Sequence, residues 1–352
     1  MNIVNTIVLA AAGVLSFTVA LLLGKWLIPW LHKLKFGQTI LEDGPKWHQQ
    51  KQGTPTMGGI LFIVSFVLSV SVSAVVLYVC KQPWEIPIAG LEGLTVPRLL
   101  STVHEQVYFW AGVGLAIGCG LIGFADDYIK VVKKRNMGLT AIQKLLLQLV
   151  LSVAYAVVMY LNGGAVFHIP FIGTVDWGIW YIPFAVFVIV AMTNATNLTD
   201  GVDGLCGCTG FVAALGLLML SGLSEYLSMG VLSVALAGGL AGFLMWNLHP
   251  AQVFMGDTGS LFIGGTLTAI AFGIKQPLLL IPIGILYIAE NLSVILQVSY
   301  FKLTHGKRLF KMSPLHHHFE MCGWSENRIV VVFTLVTFVG CAAAVILRVL
   351  GQ

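Results

Sequence analysis

The sequence predicts an all-α polytopic membrane protein: about ten transmembrane helices, both termini outside, and a cleft on the cytoplasmic side. Composition is the first reason. Of 352 residues, 57% are hydrophobic and 10% charged, whereas a soluble domain carries about a quarter charged residues. Periodicity is the second. Apolar runs fall near 3–28, 57–79, 107–124, 141–161, 179–195, 208–222, 229–246, 258–274, 278–301 and 328–349, and a spanning helix needs ~20 residues. Charge is the third. With ten spans, the loops 31–56, 125–140, 196–207, 247–257 and 302–327 share one side and hold twelve Lys and Arg residues, against four on the other. That bias makes the first set cytoplasmic.

Ten spans leave little chain for a soluble unit, so residues 1–352 read as a single membrane domain. The net charge of +4 is modest and points to no nucleic-acid partner. Six cysteines show no CxxC pair and no zinc spacing. Residues 3–24 lack a basic leader and a cleavage site, and read as a first span rather than a signal peptide.

The acids gather where the lysines are. Asp43, Asp126, Asp127, Asp200, Asp203 and Asp257 all fall in or beside cytoplasmic loops, and Asp176 falls outside. Acid and base on one rim suit a site that binds an anion through a metal. In Gly53-Thr-Pro-Thr-Met-Gly-Gly59, Thr54 or Thr56 can cap the second span, the glycines permit close backbone approach, and Lys51 beside it can meet a phosphate. Asp126-Asp127-Tyr-Ile-Lys130 follows the third span. Two carboxylates at a helix C-terminus are disfavoured by roughly 0.3–1 kcal/mol each, which a divalent cation or nearby lysines would offset. Thr140 and Gln143 have capping-box spacing for the fourth span, with Lys144 at the level of Asp126.

Asn194 to Leu205 packs Asn194, Thr196, Asn197, Thr199, Asp200 and Asp203 into twelve residues between apolar runs. Such a cluster is costly unless it is interfacial or lines a site. Asn247 to Ser260 leads into the eighth span, with Asp257 as its expected N-cap and a free oxygen for a cation. Phe254 there can stack on a base or simply mark the interface. Glu290 lies within the ninth run, where an ionisable group faces a cavity or braces helices. Ser313-Pro314 reads as N-cap and N1 of a short helix carrying His316, His317 and His318. Adjacent helical residues are about 100° apart, so the three cannot share one metal ion.

FADDYIK (124–130), TNLTDGVDGL (196–205), VFMGDTGS (253–260) and PLHHHFE (314–320), in this order, resemble the polyprenyl-phosphate N-acetylhexosamine-1-phosphate transferases. GTPTMGG and PLHHHFE match the bacterial branch. The resemblance covers nearly the whole chain, with Val202 standing where Leu is commoner. It implies a Mg²⁺-dependent sugar-1-phosphate transferase of the bacterial cytoplasmic membrane, typically a homodimer. Its substrates would be UDP-N-acetylmuramoyl-pentapeptide and undecaprenyl phosphate, its products UMP and lipid I, the first membrane step of peptidoglycan synthesis. It implies Asp126, Asp127, Asp257 and His316 as the catalytic set, with Asp257 and Asp200 on the metal. Lys51, Asn194, Asn197, Asp200, Gly201, Asp203, Asn247 and Phe254 are implied near nucleotide, and Lys130 and Lys144 near phosphate, with His317 and His318 close by. A related transferase using another UDP-sugar is the nearest alternative. A nucleotide or sugar-phosphate transporter would keep its polar residues near the bilayer midplane, and a membrane prenyltransferase would leave the histidine run unexplained.

Overall fold

The computed structural model describes residues 3–33, 51, 53–79, 102–132 and 138–351. The loop prolines Pro83, Pro87 and Pro97, with Cys80, Asp43 and the basic residues at 35, 46, 81, 98 and 133–135, lie outside them. Helices α1 (Ile3–Lys33), α2 (Gly59–Val79), α3 (Val103–Val132) and α4 (Ala141–Leu161) lead to a hairpin of β1 (Val166–Ile169) and β2 (Gly173–Asp176). Then follow α5 (Tyr181–Thr199), α6 (Leu205–Leu223), α7 (Leu227–Asn247), α8 (Gly256–Gly273), α9 (Leu280–Ile283), α10 (Ile285–Leu303), α11 (Leu315–Glu320) and α12 (Glu326–Leu350). Among the described residues, eight helices are long and apolar enough to cross a membrane, or nine counting α9 and α10 together. The chain is a multi-pass, all-α membrane protein.

Every predicted run is helical, but one is broken. The ninth bends by 77° between α9 and α10, at Gly284, two residues after Pro282. Proline and glycine so placed are ordinary causes of a kink. The hairpin was not foreseen, since two four-residue strands are too short to announce themselves by alternation. They pair antiparallel from Val166↔Asp176 to Ile169↔Gly173.

Helix α8 is the axis of the bundle. Every residue from Thr258 to Gly273 is buried, so α8 meets protein on all sides and tolerates Thr258, Ser260, Thr266 and Thr268 among its apolar residues. It packs backbone to backbone on two neighbours. A Cβ on Gly59 of α2 would overlap Gly259, and one on Gly123 of α3 would overlap the Asp257 carbonyl. In a membrane such close van der Waals packing, with hydrogen bonds between helices, drives association. The bonds include Ser16 Oγ to Ala235 O (2.6 Å), Ser69 Oγ to Ala12 O (2.7 Å) and Thr196 Oγ1 to Ser260 O (2.8 Å). Phe66 and Phe262 meet edge to face at 5.2 Å.

A second, smaller apolar cluster joins Val202, Leu205, Leu286, Ile329, Val330 and Phe333, with Leu315 and Phe319 against it. It seats α11 on the starts of α6, α10 and α12. Helix α4 begins with the predicted capping box. Gln143 N–H donates to Thr140 Oγ1 (3.2 Å) and Thr140 N–H to Gln143 Oε1 (3.0 Å), an arrangement that stabilises a helix start by about 1 kcal/mol.

Candidate active site

Three carboxylates meet where α3 crosses the start of α8. Asp126 and Asp127 are buried and stand inside α3, which runs on to Val132 rather than ending before them. Asp127 Oδ2 accepts from Thr258 N (2.9 Å) and Thr258 Oγ1 (2.7 Å), and its Oδ1 from Asp257 N (3.3 Å). Asp127 thus caps α8 from another helix, in the role expected of Asp257. The cap position is Met255, and Asp257 lies within the first turn. A carboxylate there faces the positive end of α8, a favourable placement.

Two lysines neutralise the trio. Lys130 Nζ lies 2.5 Å from Asp126 Oδ2, 3.2 Å from Asp257 Oδ2 and 3.6 Å from Asp127 Oδ1. Lys144 Nζ reaches Asp257 Oδ2 (2.7 Å) and Asn197 Oδ1 (3.1 Å), not Asp126. Asn197 Nδ2 donates to Asp257 Oδ1 (2.8 Å) and Ser260 Oγ (2.9 Å), while Asp126 Oδ1 accepts from Leu139 N (2.8 Å). One oxygen each from Asp126, Asp127 and Asp257 lies within 4.8 Å of the others. That all-oxygen donor set fits a hard divalent cation. Asp200 stands apart from the trio, as the C-cap of α5. Burial pushes its carboxyl well above the usual carboxylate range, and Asp257, Asp127 and Asp203 push the same way.

A second cluster forms where α6, α12 and the residues before α2 and α8 meet. Lys51 Nζ bridges Asp203 Oδ1 (2.7 Å) and Glu326 Oε2 (2.6 Å). Asp203 Oδ2 accepts from Ala251 N (3.1 Å) and lies 3.1 Å from His249 Nδ1. His249 and Glu326 escaped the sequence reading. The signals available were a histidine inside the 247–260 stretch and an acid opening an apolar span.

Other expected residues have structural duties. Asn247 spends its amide on Gly204 N (3.1 Å) and Val253 O (2.9 Å). Asn194 Nδ2 turns to Gln148 Oε1 (2.9 Å) and Val190 O, between α4 and α5. Phe254 is half-buried, and its backbone pairs with Pro55 O (2.8 Å) and Gly58 N (2.8 Å). Gly59 N donates to Met255 O (3.0 Å), so carbonyls of this segment take the N–H groups at the start of α2 that a threonine cap would serve. An apolar cleft of about 580 Å³ between α3 and α4, lined by Val107, Trp110, Leu151 and Tyr155 among others, offers nothing to a phosphate.

The three histidines diverge. The cap position of α11 is Pro314, without a side-chain cap, and Ser313 lies outside it. His316 is 1% exposed and turned inward, its Nδ1 3.2 Å from Glu290 Oε2. His317 Nδ1 lies 2.6 Å from Glu320 Oε2. His318 Nδ1 accepts from Lys311 N (3.1 Å). A Cβ on Gly201 would overlap His316 Nε2, so the 194–205 stretch touches both charged clusters and the buried histidine.

Membrane helices converging on clustered carboxylates and lysines define an integral-membrane protein with a site suited to a cation and an anionic ligand. Residues 109–275 match the sequence model of glycosyl transferase family 4. Residues 51–63 match signature 1 of phospho-N-acetylmuramoyl-pentapeptide-transferase. Curated relatives with that name include one from Caldanaerobacter subterraneus subsp. tengcongensis, 46% identical over 93% of this chain and 95% of the relative. Others are from Clostridium perfringens strain 13, 43% identical over 95% of this chain and 96% of the relative, and Clostridium botulinum Eklund 17B, 43% identical over 97% and 96%. The chain belongs to the phospho-N-acetylmuramoyl-pentapeptide-transferase family.

Proposed function

We propose that this enzyme transfers phospho-N-acetylmuramoyl-pentapeptide from UDP-N-acetylmuramoyl-pentapeptide to undecaprenyl phosphate, releasing UMP and forming lipid I. Family membership at 42–46% identity over nearly the full length supports the reaction. The observation that carries the mechanism is the Asp126–Asp127–Asp257 trio with Lys130 and Lys144 set against it. Asp126, Asp127 and Asp257 would hold Mg²⁺, which supplies charge stabilisation to the diphosphate.

The lipid phosphate, with a second pKa of about 6 as for other phosphomonoesters, is already mostly ionised. A strong base is therefore unnecessary, and direct in-line attack on the sugar-linked phosphorus suffices. One P–O bond forms as the diphosphate bridge opens and UMP departs with the bridging oxygen. Lys130 and Lys144 neutralise charge so that one anion can approach another. Asp126 orients the nucleophile and takes any remaining proton. The Lys51–Asp203 pair receives the nucleoside, with Gly201 beside it, while His317 and His318 line the rim.

The reading includes one domain, ten spans and a site facing the cytoplasm, which the twelve-to-four charge bias supports, and a homodimer in the bacterial cytoplasmic membrane. Purified enzyme is expected to release UMP only when both substrates and Mg²⁺ are supplied. Accumulation of a phosphosugar-bound enzyme without lipid would replace direct attack by a two-step route through Asp257.

A further inference from the structure

Helix α10 turns one stripe inward, and that stripe is partly polar. Glu290, Ser293 and Gln297 are buried along it beside Leu286 and Tyr287. Two of these side chains grip the histidine loop. Gln297 Oε1 accepts from Leu309 N (3.0 Å) and Phe310 N (2.9 Å), and its Nε2 donates to Phe310 O (3.2 Å). About two turns earlier, Glu290 Oε1 accepts from His316 N (3.2 Å). Both ends of the loop are thereby tied to one helix, and the small apolar cluster with Leu315 and Phe319 holds the far end in register.

Glu290 does more than tie a loop. It is fully buried, and its second oxygen, Oε2, stands 3.2 Å from His316 Nδ1. Neither atom has an aligned hydrogen bond, and His316 Nε2 has no partner either. A buried carboxylate is costly unless paired, and His316 is the partner at ion-pair distance. The backbone N–H and the ring Nδ1 of His316 face the two oxygens of one side chain. Only a carboxylate offers an acceptor to each; an amide offers one acceptor and one donor. The opposite ring nitrogen points at Gly201, the glycine in the Asp200–Gly201–Val202 turn, where a Cβ would collide with it. The missing side chain leaves the imidazole its place beside the polar turn.

Resting on the transferase reading above, we propose that Glu290 is the positioning residue of His316. It fixes the ring with Nδ1–H toward Oε2 and leaves Nε2 as the working nitrogen beside the Asp200–Gly201 turn. A carboxylate orienting an imidazole through its far nitrogen is a general device for setting a histidine's tautomer and direction. The alternative is a brace that only docks the loop, for which glutamine would serve as well.

Glu290→Gln separates these. It keeps the size and the acceptor for His316 N–H, but presents an amide donor to Nδ1 and so inverts the tautomer. The expected result is a kcat lower by about 10- to 100-fold, with KM for the UDP-linked substrate and the thermal midpoint unchanged. In a His316→Gln background the same change should cost less than about twofold in kcat, because residues acting as one unit are not additive. Wild-type kcat in Glu290→Gln, or an equal loss in both backgrounds, overturns the proposal. A second readout needs no turnover. In ¹⁵N-histidine-labelled protein, the His316 signal, assigned by its loss in His316→Gln, should show a protonated Nδ1 in the wild type. It should show a bare Nδ1 in Glu290→Gln. A bare Nδ1 in the wild type overturns the proposal even if UMP release is normal. An enzyme that releases no UMP refutes the transferase reading and leaves this measurement standing.

Discussion

Asp257 accepts from Lys130, Lys144 and Asn197 at once, so its two oxygens carry much of the site's electrostatics. Asp257→Asn is expected to lower kcat by about 10²-fold or more and to weaken Mg²⁺ binding markedly in calorimetry. Asp126→Asn keeps an acceptor for Leu139 N–H and should lower turnover with a smaller loss of metal affinity. Equal metal affinities in the two variants would contradict these roles. Asp200 makes a pH prediction. Its carboxyl is raised by burial and by the neighbouring acids, so its protonated form persists to higher pH than an ordinary aspartate's. A cation on the trio would offset the charges of Asp257 and Asp127 that act on it, and so favour its ionised form. Metal uptake should therefore release a proton and tighten as pH rises through that elevated value. Calorimetry in two buffers of different protonation enthalpy checks this, and Asp200→Asn should reduce the buffer dependence. At this scale the charged residues are legible in the sequence, because acids and histidines stand out against apolar spans. It missed their partners. Nothing local marks Lys51 as bridging to Glu326, 275 residues away, and Asn194 and Asn197, three residues apart, face different neighbours.

The helices show the same division between what period reveals and what contact decides. Each apolar run became helix, because length and hydropathy suffice where every backbone group must be bonded internally. Ends and roles were harder. Helix α3 continues past its apolar stretch because Asp126, Asp127 and Lys130 find partners on α8 and at the start of α4. Asp127 took the capping role that proximity in sequence assigned to Asp257, a choice visible only once α3 crosses α8. That crossing and the one with α2 depend on glycines whose neighbours are backbone, which cannot move aside. Gly59→Ala is expected to destabilise the protein by about 1–3 kcal/mol, seen as a lower unfolding midpoint in detergent. Ala at Gly114, with nothing within 4 Å of its added carbon, serves as the control and should leave the midpoint in place. Matching midpoints in the two variants would remove the close crossing as the cause.

For the whole molecule, orientation is the testable quantity. Cys322 is exposed next to α11, while Cys119, Cys206 and Cys341 are buried and Cys208 is half-buried. In a Cys80→Ser background, a membrane-impermeant maleimide should label Cys322 in inside-out vesicles and spare it in intact cells; the opposite pattern would invert the topology. Charge counting could make this forecast because the Lys and Arg asymmetry of the loops sets orientation without any knowledge of packing. The meeting of segments as distant as Lys51 and Glu326 was beyond that kind of reading, since only the folded bundle brings them together. Lys130 and Lys144 act as built-in counter-ions for the three carboxylates. A cation arriving there competes with two ammonium groups for the same oxygens, so its occupancy tracks the free ion level and is not locked in at folding. If the trio holds the metal as proposed, turnover should rise and saturate with the free divalent-cation concentration, which a titration of UMP release against Mg²⁺ checks.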